Sequence, residues 1–137
     1  MMKISDNIIN NNYRIASISK KMLKNVLGLE ENEKKFVLLK KEDYRKYFIS
    51  AKTEFESGLE TLLLIDQESD ASDLWKNLAE RYRRAAPTSE ELFKEGASDE
   101  LWIPEEEINE WIAIVSRARQ INERGIERAN RELSRRG

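Results

Sequence analysis

The sequence predicts an all-α fold, an irregular bundle of four to six helices that includes one long central and one long C-terminal helix. Apolar residues recur every three or four positions along nearly the whole chain, which is the repeat of an amphipathic helix. Only 5 glycines and 2 prolines occur, too few for the many turns of a β-fold. The charged fraction of 36% suits helices with a narrow buried stripe and wide solvated faces. A single helical domain is expected over residues 1–137.

The first apolar stripe predicts a helix that ends at Gly28. Its spacings of 7, 3, 4, 4 and 3 residues place all members on one face. Ser5 or Asp6 can cap its start, although three consecutive asparagines, which are poor helix formers, favour a start near Tyr13. Gly28 followed by Leu29 is typical of a left-handed C-cap with its hydrophobic contact. The stripe consists of Ile8, Ile15, Ile18, Met22, Val26 and Leu29.

A second stripe predicts the long central helix, which runs from about Lys41, with Glu33 as the alternative start, to Ile65. Residues 36–39 could instead form a short strand, because four consecutive apolar residues fix no period. Gly58 within this helix costs about 1 kcal/mol relative to alanine, and it lets a neighbouring helix approach closely. The stripe consists of Val37, Tyr44, Phe48, Ala51, Phe55, Leu59 and Leu62.

An acidic turn over residues 66–73 separates the central helix from a third helix. Ser72 is expected to cap this helix, and Pro87 to stop it. Thr88 and Glu91 have the spacing of a capping box, which predicts a short helix ending at Gly96. The apolar stripe of the third helix consists of Leu74, Trp75, Leu78, Tyr82 and Ala85.

The last helix is predicted from Pro104 to beyond Ala129. Proline is favoured at the first helical position, and the three glutamates that follow it suit the positive end of the helix dipole. Residues 131–137 are expected to form a frayed, Arg-rich tail. The stripes predict that Trp75 and Trp111 are buried and that Trp102 is the most exposed tryptophan.

The chain contains no histidine and no cysteine. Their absence removes the usual general base, the usual nucleophile–base pairs and most transition-metal ligands. The pair Glu107 and Glu110 shares one helical face and could in principle hold Mg²⁺, but it lies outside the apolar stripes that a buried metal site requires. We therefore expect no enzyme activity, no catalytic residue, no metal and no cofactor.

Charge is strongly segregated along the chain, although the net charge is only −2. Residues 1–52 carry 12 basic and 6 acidic side chains, residues 53–110 carry 5 and 17, and residues 111–137 carry 7 and 3. This pattern indicates surfaces for two different partners. An equally weighted alternative is that the segments pair with each other in the folded chain.

Two groups of cations are candidates for binding nucleic-acid backbone. Basic residues near Tyr44 and Tyr47 in the first half would combine phosphate neutralisation with base stacking. In the last helix, five arginines spaced by 7, 4, 3 and 4 residues lie on one face, which could also be an ordinary solvated face. The candidates are Lys20, Lys21, Lys24, Lys40, Lys41, Arg45, Arg117, Arg124, Arg128, Arg131 and Arg135.

A candidate protein-binding site lies between the fourth and last helices. Leu101 and Trp102 stand among acids, and an exposed tryptophan in such a loop is a typical anchor for a partner. The alternative is that Trp102 folds onto the core. The site is predicted to comprise Leu101, Trp102, Glu105 and Glu106.

These features favour a non-enzymatic small helical subunit of a larger assembly, most simply a nucleoprotein. It would contact RNA or DNA backbone through its basic faces and neighbouring proteins through its apolar and acidic surfaces. The alternative is a small regulator or inhibitor, such as a phage or mobile-element product, whose acidic region 53–110 binds a basic site on a partner. No apolar run is long enough to span a membrane, so we expect a cytoplasmic protein with no membrane partner and no small-molecule substrate.

Overall fold

The computed structural model describes the backbone of residues 2–136 and the side chains of residues 11–135, and it is an all-α bundle of five helices. Helices make up 82% of the chain, and no strand is present among the described residues. The helices are α1 (Met2–Leu39), α2 (Glu42–Ile65), α3 (Ser72–Ala85), α4 (Ser89–Phe93) and α5 (Glu105–Arg136).

Helix α1 is longer than the sequence predicts, and two predictions about its ends are wrong. It begins at Met2 rather than near Tyr13, and it passes through Gly28 without ending there. Gly28 is a packing position, because a Cβ atom added to it would lie 3.6 Å from the Cβ of Ala51. Residues 36–39 form the last turn of α1, which decides against the strand. The candidate caps Ser5 and Asp6, and the stripe residue Ile8, lie outside the side chains that the structure describes.

A two-residue turn at Lys40 and Lys41 joins α1 to α2 as an antiparallel pair. Lys40 adopts a left-handed conformation with φ of 54°, which lets the chain reverse immediately. The prediction of a close approach at Gly58 is confirmed, since a Cβ atom there would lie 3.0 Å from Cγ of Met22. The predicted bounds of the central helix agree with α2 to within a residue.

Local signals set the bounds of α3 and α4. The cap of α3 falls on Ala71 rather than Ser72, and the hydroxyl of Ser69 accepts a hydrogen bond from the Ala71 N–H at 3.1 Å. The Thr88 cap is confirmed, because its Oγ1 accepts from the Glu91 N–H at 3.2 Å. Helix α4 ends at Phe93, earlier than the predicted Gly96, and Gly96 instead takes a positive φ of 80° in the following turn.

The four longer helices form an up-down-up-down arrangement. Helix α1 packs against α2 and α5, and α3 packs against α2 and α5. The core lies between them and includes the fully buried Trp75, Trp111, Phe48 and Phe55. The predicted burial of Trp75 and Trp111 is therefore confirmed, and the half-buried Trp102 is the most exposed of the three tryptophans.

The bundle tapers from four helices to two at one end. Ile65, the last residue of α2, lines the same depression as Asn12 and Ile15 of α1. At this level the Asn122 side chain of α5 donates a hydrogen bond to the Asn12 carbonyl oxygen at 3.0 Å. At about 1.5 Å per residue, the α5 backbone then continues for about 21 Å and the α1 backbone for about 15 Å. We call residues 2–11 of α1 and 123–136 of α5 the two-helix extension.

Candidate nucleic-acid interface

The five predicted arginines of α5 form an exposed row, which we call the Arg stripe. It lies on the side of α5 opposite the core residues Trp111, Val115 and Ala118, because the two sets are about half a turn apart on the helix. Four of its members lie on the two-helix extension. The stripe consists of Arg117, Arg124, Arg128, Arg131 and Arg135.

Few protein groups compete for the Arg stripe. Within the described residues, its one ion pair joins Arg131 to Glu127 at 3.6 Å, with both side chains about two-thirds exposed. An exposed helical pair of this kind contributes only a few tenths of a kcal/mol. Arg119, which is not a member of the stripe, donates to the Ala16 carbonyl oxygen at 3.4 Å.

Among the side chains of residues 11–135, few ion pairs join the oppositely charged segments. Across the described side chains, the ion pair of Lys40 with Asp99, at 3.6 Å, is the one that joins the basic segment 1–52 to the acidic segment 53–110 between different helices or loops. No described ion pair joins the arginines after Trp111 to the acidic segment. The alternative of internal pairing therefore accounts for little of the segregation.

Lys20, Lys21 and Lys24 are exposed on α1, and none forms an ion pair with a described residue. Because α1 and α5 are antiparallel, with Ala16 beside Arg119, these lysines lie on the four-helix side of the Arg stripe. The three lysines and the Arg stripe therefore lie on neighbouring helices, and along the bundle axis the lysines come directly after the stripe.

The remaining basic candidates lie near the opposite end of α1. Lys40 is held by the loop before α5, where its Nζ donates to the Ser98 carbonyl oxygen at 3.2 Å. Lys41 is exposed. Tyr44 and Tyr47 pack edge to face, with ring centroids 6.2 Å apart, and Lys35 lies 5.7 Å from the Tyr44 ring.

Arg45 is the least accessible of the candidate cations. Its guanidinium group lies between the rings of Phe36 and Phe93, at 4.9 and 5.0 Å from their centroids, and its side chain is only 18% exposed. It also pairs with Glu42 at 3.6 Å. These contacts favour a role in packing α4 against the α1–α2 pair, which the sequence alone did not indicate because Phe93 is distant in the chain.

The candidate protein-binding residues are divided between core and surface. Trp102 is half-buried, with its ring centroid 5.2 Å from Phe36 and 4.6 Å from Phe48. Leu101 is 42% exposed, and Glu105 and Glu106 are exposed beside it at the start of α5. Of the two alternatives for Trp102, the structure therefore favours folding onto the core, and Leu101 is left as the exposed apolar residue.

A buried carboxyl group that no sequence pattern indicated holds the loop before α5. Glu33 of α1 is only 2% exposed, and its Oε1 accepts a hydrogen bond from the Ile103 N–H at 2.9 Å. Burial raises its pKa from 4.5 to about 7, against the opposing effect of the hydrogen bonds from the Ile103 and Trp102 N–H groups. No local signal could identify this residue, because its partners lie 70 positions away in the chain.

A second polar network joins α2 and α3 beside the aromatic core. The Tyr82 hydroxyl donates to Glu56 Oε1 at 2.5 Å, and Lys52 pairs with the same oxygen at 2.6 Å. Burial raises the pKa of Tyr82, and so does the hydrogen bond to Glu56. Burial alone would raise the pKa of Glu56, but the hydrogen bonds from Lys52 and Tyr82 lower it. These groups are partnered within the protein, so they explain packing rather than catalysis.

Two features associated with other functions are absent from the described residues. No group of three or more acidic side chains there is arranged to hold a metal ion. No described helix has a stretch apolar and long enough to cross a membrane.

The Arg stripe presents a row of hydrogen-bond donors and positive charges along α5. The stripe offers guanidinium groups in a row, and arginine donates hydrogen bonds in a planar fork that matches phosphate oxygens. Comparison with protein-family models, curated proteins and solved structures finds no match to this chain.

Proposed function

We propose that this chain is a non-enzymatic, nucleic-acid-binding subunit of a larger assembly, and that the Arg stripe of α5 contacts the phosphate backbone. The observation that supports it most directly is the exposure of all five arginines on one face of one helix. From Arg117 to Arg135 the stripe spans 18 residues, or about 27 Å at the helical rise. A row of that length can follow several consecutive phosphates of one strand.

The proposed contact is with the backbone and not with particular bases. Phosphate contacts by arginine carry no sequence preference, and the sequence of α5 contains no recognisable recognition-helix motif. Binding should therefore be strongly salt-dependent and nearly independent of sequence. Neighbouring proteins would be contacted through Leu101, Glu105 and Glu106 at the other end of α5.

Removing positive charges from the Arg stripe without disturbing the fold tests this proposal. Replacing Arg124, Arg128 and Arg131 by glutamine should weaken binding of labelled RNA and DNA about equally across sequences. Each lost phosphate contact should flatten the salt dependence of log affinity by about 0.9 on duplex DNA and by about 0.7 on a single strand. Fluorescence anisotropy at several salt concentrations measures both quantities.

A matched control removes the same charge from another helix. Lys76, Arg83 and Arg84 are exposed on α3, and their replacement by glutamine should leave affinity and salt slope nearly unchanged. If both triple variants lose affinity equally, net charge alone governs binding and the Arg stripe has no special role. If the wild-type protein binds no nucleic acid at low salt, the proposal is rejected.

A second candidate function is a regulator that occupies a basic site on a protein partner. It is favoured by an open depression of about 450 Å³ between α4 and α5, where four acids outnumber the one cation, Lys94, beside the apolar Leu101. The four acids are Glu91, Glu95, Asp99 and Glu100. Exposed acids around an apolar residue suit a basic protein surface. Affinity purification with and without nuclease separates the two functions. The regulator function is supported if a protein partner is retained after nuclease treatment and is lost when Glu95 and Glu100 are replaced by glutamine.

A further inference from the structure

A short segment covers the end of the bundle at which α1 turns into α2. It comprises α4 and the loop that follows, residues 88–103, and we call it the α4 strap. Its backbone hydrogen bonds are internal, such as the one from the Ala97 N–H to the Lys94 carbonyl oxygen at 3.2 Å. Among the described residues, no backbone–backbone hydrogen bond joins the strap to a long helix. Side chains therefore hold the strap in place.

Two side chains at this end of α1 attach the strap through polar contacts. Glu33 Oε1 accepts a hydrogen bond from the Ile103 N–H at 2.9 Å. Lys40 Nζ donates to the Ser98 carbonyl oxygen at 3.2 Å and pairs with Asp99 at 3.6 Å. The side chains of Lys40 and Asp99 are both more than half exposed, so their ion pair contributes little. Glu33 is thus the main polar attachment of the strap.

The apolar contacts of the strap leave two buried donors without an acceptor. The Trp102 ring lies against Phe36 and Phe48, and the Phe93 ring lies against the guanidinium group of Arg45. Trp102 Nε1 and Arg45 Nε are buried in these contacts, and neither has a hydrogen-bond partner among the described residues. Both donors would gain a hydrogen bond to water if the strap lifted, so both favour its detachment.

The ionised form of Glu33 favours detachment as well. Its side chain is only 2% exposed, and burial raises its pKa to about 7 despite the hydrogen bonds from the strap backbone. Of the charges on its own helix, Glu30 raises the pKa and Lys34 lowers it. When the strap lifts, water reaches the carboxylate and its pKa returns toward 4.5. The other charges around this end are Lys40 paired with Asp99, Arg45 paired with Glu42, and the exposed Glu105 and Glu106 of α5.

We infer that the α4 strap is a pH-sensitive cover that detaches as a unit while the four long helices stay packed. The buried carboxyl group of Glu33 controls its release, and the two buried donors lower the cost. The detached form presents Phe36 and Phe48 to solvent. The strap and the two-helix extension lie at opposite ends of the bundle, so this inference is independent of the proposed nucleic-acid binding.

Detachment should increase as pH rises. The closed form binds the Glu33 proton with a pKa of about 7 and the open form with a pKa near 4.5, so protonation favours the closed form. That preference is lost as pH rises through 7. Between pH 6 and pH 8 the ratio of open to closed molecules should rise about tenfold.

A single introduced thiol reports detachment, because the chain contains no cysteine. Ala97 of the strap is 3% exposed, and Ala118 of α5 is fully buried in the four-helix core. In the full-length protein, Ala97→Cys should react with dithiodipyridine far faster than Ala118→Cys, because the thiol at position 118 is reached only by global unfolding. Dividing each rate by the rate of the same variant unfolded in urea removes the pH dependence of the thiol itself.

The role of Glu33 is tested in the Ala97→Cys background. Adding Glu33→Gln should abolish the tenfold rise between pH 6 and pH 8, because the amide does not ionise. Adding Glu31→Gln is the matched control and should leave the rise intact, since Glu31 is an exposed neighbour. Equal protection of the two thiols, a rate that does not rise with pH, or a rise that survives Glu33→Gln would overturn the inference.

Amide exchange in the unaltered protein gives a second measurement that needs no substitution in the strap. The Ile103 amide donates to Glu33, so its hydrogen should exchange much faster than that of the Trp111 amide in α5. After correction for the intrinsic exchange rate, the opening of Ile103 should show the same tenfold rise with pH. NMR resolves the two amides, and equal protection of both would likewise overturn the inference.

Discussion

At the scale of single residues, Glu33 is the clearest case of a charged group in an apolar setting. It lies beneath Trp102 and Ile103, and the loop before α5 depends on it for hydrogen bonds to two backbone N–H groups. Burial disfavours its ionised form, while these hydrogen bonds favour it; the raised pKa shows that burial dominates. The nearby charges are Glu30, which raises the pKa, and Lys34, which lowers it.

Glu33 should therefore make the stability of the protein depend on pH. Its pKa of about 7 in the folded state exceeds the ordinary 4.5, so the folded chain holds the proton more tightly than the unfolded chain. The stabilisation is complete below pH 4.5 and is lost as pH rises through 7. Relative to Glu33→Gln, the wild-type protein should lose about 3 kcal/mol in free energy of unfolding over that range.

Urea denaturation of both proteins between pH 5 and pH 8 measures this difference. Glu31→Gln is the control, because Glu31 is an exposed neighbour paired with Lys35 at 2.8 Å. The free energy of unfolding of Glu31→Gln should vary with pH in parallel with that of the wild-type protein, since an exposed ion pair contributes little. Parallel profiles for Glu33→Gln as well would contradict the buried, proton-binding role.

Individual contacts were harder to predict from sequence than exposure was. The helical period correctly identified Trp75 and Trp111 as buried, because it reports which face of a helix meets the core. The environments of Glu33, Arg45 and Trp102 depend on residues 45 to 70 positions away that meet only after the bundle closes. No local pattern contains that information.

At the scale of helices, α1 shows how tertiary packing overrides a local stop signal. Gly28 has the sequence context of a C-cap, but it lies between the fully buried Val26 and Leu29 and faces Ala51 of α2. Continuing the helix buries both neighbours, which outweighs the cost of about 1 kcal/mol for a glycine in a helix. The bounds of α2 and the N-cap of α4 were predictable because their signals agree with the packing.

Gly28→Ala should stabilise the protein by about 0.5–1 kcal/mol. An alanine Cβ would make an ordinary contact with Ala51 at 3.6 Å, and alanine restricts the unfolded chain more than glycine does. Gly58→Ala is the contrasting variant, because its Cβ would lie 3.0 Å from Met22 Cγ and 3.3 Å from Ile18 Cγ2. It should gain less or lose stability. Thermal melts rank the stabilities of the two variants. Destabilisation by Gly28→Ala would contradict this expectation and would favour the predicted C-cap at Gly28.

At the scale of the whole molecule, charge and shape are organised along one axis. Helix α5 begins with three glutamates beside the acidic depression and ends with the Arg stripe on the two-helix extension. The sequence showed the charge segregation, and the helical period placed the arginines on one face. The taper was not predictable, because it follows from the unequal lengths of packed helices. Of the five helices, α1 was the one whose length was predicted least well.

Because of the taper, one half of α5 is surrounded by three other helices and the other half is largely exposed. This difference should be visible in the exchange of backbone amide hydrogens with deuterated water. Amides at residues 108–122 of α5 lie in the four-helix part and should exchange only through large-scale opening. Amides at residues 126–135 have mostly exposed side chains around them, so local fraying should suffice. Mass spectrometry resolves the two peptides, and equal protection of both would contradict this expectation.

The half of α5 that is expected to exchange rapidly is also the half that carries most of the Arg stripe. A bound polyanion would hold those helical turns closed, so its addition should slow exchange there far more than at residues 108–122. Because of the taper, amide exchange in the unlabelled wild-type protein would show whether a ligand is bound along the Arg stripe, even when the identity of that ligand is unknown.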